Sequence, residues 1–376
     1  MLTAALLPLF VALAGADTGN VASTQPTRLS AAQRAIADAR LSDLAKRHDA
    51  GIAVGVVRGR KLVWTGYYGE QSPGVKVSKD TLFNVASLAK PVAAEAVLRL
   101  VSEGHFGLND QISRHWVDPD LVGDRRHEQL TPAIALSHRT GFPNWRYQDS
   151  GKKLRFNADP GTKATYSGEG YNYVARFAEK KLGLSFDELV QTRVFDPVGM
   201  RSASLTRREW MNGRINLPIG DRGRRGKPDL HEPGDWSAAD DLFVTLADYV
   251  AFVISVSKDE GLRPEVAAAR RTILTPTTDC GSATPTPCPS PAGHGLGWEI
   301  LTFSGRQIFW HTGGDWSEST FVYFYPDTGD GLVAFMNAAK DNRPSMLDIF
   351  DAVDDPSPIH EALRAFEAQK RATGKP

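Results

Sequence analysis

Strand-like runs stand at both ends of this chain, so any sheet that uses them all must be closed by its two termini. Residues 52–57 and 61–69 flank the turn Arg58-Gly59-Arg60 and read as an antiparallel hairpin. Residues 297–303, 307–312, 320–325 and 331–337 read as a late meander, with turns at Ser304-Gly305 and at Pro326 to Asp330. Between the two sets the spacing is helical, as in 130–135, 171–181, 186–193 and 240–256. Helices are also expected over 31–47 (capped by Ser30, with Ile36, Ala39, Leu41, Leu44 and Ala45 as its apolar stripe), 87–103, 264–271 and 358–369. The Pro/Thr/Ser-rich stretch 275–292 reads as a loop.

Layer packing turns this pattern into an α+β fold, an α/β sandwich. Its antiparallel sheet comes from both chain ends and is flanked by helices, with a mainly helical domain inserted. The expected boundaries are a sheet domain over 29–104 and 245–376 and a helical domain over 105–244, after a leader at 1–16 and a linker at 17–28.

Three stretches carry chemistry. Ser87 and Lys90 open the helix over 87–103, one turn apart on the same face. A lysine in apolar surroundings loses its proton easily and can then help deprotonate a serine. Tyr166 lies on a Gly- and Ser-flanked loop just before the helix expected near Tyr171, and a phenol beside a cation can act as base or acid. His311-Thr312-Gly313-Gly314 ends a strand, where paired glycines let a substrate backbone come close and the Gly314 N–H can donate to an oxyanion. His311 would bring a titratable, at times cationic, group beside them.

Composition excludes several other readings. Lys+Arg and Asp+Glu are balanced at 44 each across 376 residues, which gives no electrostatic footprint for nucleic acid. The short basic run Arg222 to Lys227 reads as an exposed loop. No Gly-x-Ser-x-Gly lies between a strand and a helix, as an α/β-hydrolase would need. His115, Asp118, Asp120, Asp124 and His127 lack metal-ligand spacing and read as solvated polar surface. Met1 to Ala16 has no charged side chain and resembles a secretory signal, although no Lys or Arg precedes the apolar core. No later stretch is long enough to span a bilayer. Cys280 and Cys288 are the only cysteines; in an exported chain they predict one disulfide closing a surface loop. The pattern carries no signature of oligomeric state.

The ordered set Ser87-x-x-Lys90, Tyr166 and His311-Thr312-Gly313-Gly314 resembles the serine β-lactamase-related superfamily. It is most similar to the branch of class C β-lactamases, D,D-peptidases and family VIII-type esterases. Leu136 to Pro143 and Phe195 to Met200 are similar to flanking segments of that family, so the resemblance covers residues 32–340. It implies a β-lactamase/transpeptidase-like fold, an acylated nucleophile at Ser87, and Lys90 holding the reactive protonation states. It further implies Tyr166 as general base in acylation, an oxyanion hole from the N–H groups of Ser87 and Gly314, and no metal or other cofactor. His311 stands where β-lactamases carry lysine.

Two positions depart from the pattern. Gly168 replaces an asparagine that would bind the acyl-amide of a substrate, which argues against efficient β-lactam hydrolysis unless Glu169 or a water substitutes. Ala239-Asp240-Asp241-Leu242 replaces a Gly-Gly-Leu segment. The expected activity is an exported serine hydrolase acting on a small ester, a D-amino-acid peptide or a β-lactam. The alternative is a catalytically silent protein that binds cell-wall peptides on the same scaffold.

Overall fold

A computed structural model describes residues 29–148, 151–219, 226–228, 230–278, 280 and 285–373. The leader, the linker and Arg222 to Arg225 lie outside the described residues. The main sheet has eight strands: β1 (Gly51–Arg58), β2 (Lys61–Tyr68), β3 (Thr275–Thr278), β4 (Ala292–His294), β5 (Glu299–Phe303), β6 (Arg306–Gly314), β7 (Glu318–Phe324) and β8 (Gly331–Asn337). Their order is β2-β1-β8-β7-β6-β5-β4-β3, antiparallel at every pairing. The two ends of the chain meet where β1 pairs β8, from Gly51 opposite Asn337 to Val57 opposite Gly331.

The sheet is buried on both faces, which is why its strands are continuous apolar runs. Ile52, Val54, Val56, Leu332, Ala334 and Met336 pack beneath α1 (Ala31–Arg47), with Ile349, Phe350 and Ile359 of the last two helices. Ala53, Val57, Val333 and Phe335 point the other way, into the larger core. That core also holds α2 (Ala89–Ser102), α3 (Gly168–Leu182) and α4 (Leu246–Ser257). Every residue of α2 from Ala89 to Val101 is buried, so the helix is a central strut.

Ser30 caps α1 in a reciprocal box with Gln33. Its buried stripe is Ala37, Leu41, Leu44 and Ala45; Ile36 is 50% exposed and Ala39 is exposed, because the helix axis is turned about one residue from the expected stripe. The helix expected from Asp240 begins only at Leu246, with Thr245 as N-cap. Phe243–Val244 instead forms a short strand between Phe83–Asn84 and Ala203–Ser204. The stretch 275–292 is not wholly loop: β3 and β4 extend the sheet at its edge, where Pro276 costs no central ladder bond. A helix at Met346–Val353 was not foreseen. The described part contains no helix long and apolar enough to cross a membrane.

Candidate active site

The site forms where the N-terminus of α2 meets the end of β6. Ser87 sits in a single 3-10 turn, Ala86–Leu88, that leads directly into α2. Ala86 takes a φ of 48°, a conformation an L-residue adopts at a cost, and its N–H is held by Asn84 Oδ1 at 2.9 Å. Strand pairing of Phe83–Asn84 with Phe243–Val244, and the bond from Thr320 Oγ1 to the Val85 carbonyl at 2.8 Å, pin this turn from both sides.

Gly313 of β6 lies against the same turn. A Cβ there would sit 3.2 Å from the Ser87 nitrogen and closer still to the Val85 carbonyl and Thr320 Oγ1. Gly313→Val is therefore expected to push β6 off the Ser87 turn and to lower kcat/KM by about a hundredfold, measured on any substrate the wild type turns over. β5 pairs β6 only as far as Trp310, so His311 to Gly314 have no strand neighbour on that side among the described residues. Thr312 and Gly314 are exposed while His311 and Gly313 are buried.

Lys90 is wholly buried. Its Nζ donates to Ser87 Oγ and to the Ala239 carbonyl, both at 2.9 Å. Burial drives its pKa from 10.5 to about 7, partly offset by the charge of Asp240. Three aromatic rings surround the amine: Tyr166 with its centroid at 4.8 Å, Trp145 at 5.7 Å and Tyr171 at 5.9 Å.

Tyr166 is 38% exposed, yet its pKa is pushed up to about 12, first by desolvation and then by Asp240 and Glu299. A hydrogen bond with Ser87 pulls the other way. Burial therefore favours the protonated phenol near neutral pH. Its ring stacks on His138 at 4.4 Å, with His294 and His311 each at 6.5 Å.

The three histidines are neutral in this setting. Desolvation lowers His311 to about 3, with the positive charge of Lys90 adding to it, so His311 is not cationic as the sequence pattern allowed. Its Nδ1 faces the Thr312 carbonyl at 2.8 Å and carries the proton. Desolvation also holds His138 well below its ordinary range; its Nδ1 accepts from the Ser167 N–H at 3.1 Å, which places the proton on Nε2. His294 is lowered by burial as well.

Glu169 does not stand in for the absent asparagine. Its carboxylate accepts from the Arg146 N–H at 2.9 Å and from the Arg146 guanidinium at 3.0 and 2.8 Å. The same guanidinium takes up Asp118, which is buried rather than solvated. No group of His, Cys, Asp and Glu able to hold a metal occurs among the described residues. Cys280 and Cys288 are joined by a disulfide, their Cα atoms 6.0 Å apart, away from Ser87 on the face of the sheet that carries the last helix.

Sequence reasoning missed Trp145, His294 and the part Asp240 plays. Nothing in their local spacing marks them; Trp145 and Asp240 reach the site from loops and His294 from the end of β4, the second strand from the sheet edge.

The sequence profile of the Beta-lactamase family matches residues 37–353. The chain belongs to the Beta-lactamase family. Penicillin-binding protein 4 of Amycolatopsis lactamdurans is 24% identical over 287 residues, which are 69% of this chain and 73% of that protein. Unguisins hydrolase ungD' of Aspergillus campestris is 26% identical over 325 residues, 77% of this chain and 59% of that hydrolase. The octameric penicillin-binding protein homologue from Pyrococcus abyssi matches with a TM-score of 0.69 at 16% identity, covering 88% of this chain and 80% of its own. That likeness extends the Beta-lactamase fold to nearly the whole described chain.

Proposed function

We propose that the protein is a serine hydrolase that forms an acyl-enzyme on Ser87 and cleaves an ester or amide. The observation that carries this reading is the buried amine of Lys90, held 2.9 Å from Ser87 Oγ with a pKa brought down to about 7. A neutral Lys90 takes the Ser87 proton as Oγ attacks the substrate carbonyl carbon. The oxyanion that forms is held by the N–H groups of Ser87 and Gly314. Tyr166, protonated and beside Lys90, passes a proton to the leaving group as the carbon–oxygen or carbon–nitrogen bond breaks. Water then attacks the acyl-enzyme with the same groups in reverse, releasing the acid and restoring Ser87. His138 and His311 keep the tyrosine ring in place from either side.

Export belongs to this reading. The apolar segment at 1–16 and the Cys280–Cys288 disulfide both suit an oxidising compartment. The substrate there would be a small ester or a cell-wall-type peptide.

Hydrolysis of a short-chain nitrophenyl ester, a D-Ala-D-Ala peptide and a penicillin by wild type and Ser87→Ala tests the reading. Turnover of at least one, lost in Ser87→Ala, is the expected result. A folded wild type that turns over none, and binds the peptide, would favour a silent binding protein instead.

The pH dependence is a second test. Lys90 must be neutral to accept a proton, so kcat/KM rises with pH through a midpoint near 7. Asp240 raises the lysine pKa, so Asp240→Asn moves that midpoint to lower pH. Glu318, buried in the neighbouring pocket, also titrates at about 7, and Glu318→Gln leaves the midpoint in place if Lys90 is the group observed. A wild-type profile flat between pH 5 and 9 would remove Lys90 as the base.

A further inference from the structure

The side of the cleft beside Lys90 is lined by aromatic rings, and this bears on what acyl group the enzyme takes. Gly168 opens α3 directly against the indole of Trp145. A Cβ at 168 would lie 2.5, 2.6 and 2.8 Å from Cη2, Cζ3 and Cζ2 of that ring. No residue other than glycine fits unless the indole moves.

The indole is held where it is. Asn144 Oδ1 accepts from the Gly168 N–H at 2.9 Å, and the Asn144 carbonyl accepts from the Glu169 N–H at 3.1 Å. On the other side of Trp145, the backbone and guanidinium of Arg146 are bound to Glu169, and the guanidinium also to Asp118. Both chain neighbours of Trp145 are thus tied to the first turn of α3. Tyr147 continues the surface outward, its ring 5.7 Å from Trp145 and within 14° of parallel. Tyr147 is 61% exposed.

Ser87 Oγ, which would carry the acyl group, is 2.9 Å from Lys90 Nζ, and the Trp145 ring centroid lies 5.7 Å from the same nitrogen. The acyl chain of any intermediate on Ser87 is therefore within one side-chain length of the indole. An apolar or aromatic chain buries against the two rings. An acyl chain carrying an amide next to the carbonyl brings a polar group to a surface with no side-chain hydrogen-bond partner from the start of α3, and loses its water there.

We propose that Trp145, backed by Gly168 and extended by Tyr147, is a specificity-determining residue that selects acyl donors with apolar or aromatic acyl groups over acylamino-acyl ones. This rests on the acyl-enzyme reading above. The test compares nitrophenyl esters that share a leaving group: a phenylacetyl and a hexanoyl ester against an N-acetylglycyl ester. In wild type, kcat/KM for the apolar esters, corrected for spontaneous hydrolysis, exceeds that for the N-acetylglycyl ester by about tenfold or more. Trp145→Ala reduces that ratio by about tenfold, Trp145→Phe largely keeps it, and Trp145→Ala/Gly168→Asn turns it toward the acylamino ester. Labelling of Ser87 by a fluorophosphonate is measured on each variant, which separates loss of selectivity from loss of the fold. A wild-type ratio near one, or a ratio unchanged in Trp145→Ala while Ser87 still labels, overturns the assignment. A wild type that hydrolyses none of the esters and does not label overturns the acyl-enzyme reading itself.

Discussion

Lys90→Met is expected to cut turnover by orders of magnitude and at the same time to raise the melting temperature at neutral pH. Removing the base should cost a factor of about 10² to 10⁴ in kcat. The stability gain follows from the cost of burying an amine. Lys90 has a folded pKa of about 7 against 10.5 for the free side chain. Between those values the unfolded chain binds the proton and the folded chain does not, so stability rises with pH across that window. The penalty is fully present below about pH 7 and is gone above about pH 10.5. At pH 7 it is on the order of 4 kcal/mol.

Methionine removes that penalty but forfeits the hydrogen bonds from Nζ to Ser87 Oγ and to the Ala239 carbonyl, each worth about 1 kcal/mol. The net gain is about 2 kcal/mol, or a rise in Tm of a few degrees. The comparison is made by calorimetry at pH 7 and again above pH 10.5, where the penalty is gone and the lost hydrogen bonds should leave the variant less stable than wild type by about 2 kcal/mol. A variant less stable than wild type at both pH values would mean that the amine is not held at a cost.

The second large effect lies on the same helix, at Glu95, whose partner Arg270 is 175 positions away in sequence. Arg270 and Glu95 are both fully buried, and Arg270 Nη1 donates to Glu95 Oε1 at 2.6 Å. The other guanidinium arm donates to the Val256 carbonyl at 2.8 Å and to Asp259. Arg270→Met takes from the buried Glu95 carboxylate, in the middle of α2, its hydrogen-bonded partner, with Arg99 the remaining nearby positive charge. Breaking such a pair costs about 3–5 kcal/mol. The double variant Glu95→Met/Arg270→Met removes both charges and should recover most of that loss, because two apolar chains of similar volume take the place of the pair. Denaturant unfolding of the two singles and the double measures the coupling directly. If the double were as unstable as the single, packing of the arginine stem, and not the stranded charge, would explain the loss.

Both effects show how α2 serves two ends. Its apolar length makes it the strut of the core, and its first turn carries an amine that the core discharges. The helix was legible in the sequence because Ser87, Lys90 and the apolar run after them share one local spacing. The sheet was legible because burial on both faces leaves apolar runs such as 331–337 that need no context to read.

What escaped the sequence depends on neighbours far along the chain. β3 and β4 were hidden because an edge strand tolerates Pro276 and needs little apolar content. Phe243 and Val244 fit a helix by spacing, and only pairing with Phe83–Asn84 makes them a strand. Glu169 was free on paper to replace an asparagine, but Arg146 claims it. The charge state of His311 could not be read at all without the amine of Lys90 beside it and the burial that drives its pKa down to about 3.

The central claim is that Ser87 is the acylated residue. The direct measurement is intact-mass and peptide mass spectrometry of the full chain after reaction with a fluorophosphonate. The account predicts a single adduct on the peptide containing Ser87, forming faster as pH rises through 7 and absent in Ser87→Ala. No adduct on folded wild type, or an adduct on a different serine such as Ser137 or Ser167, would contradict it.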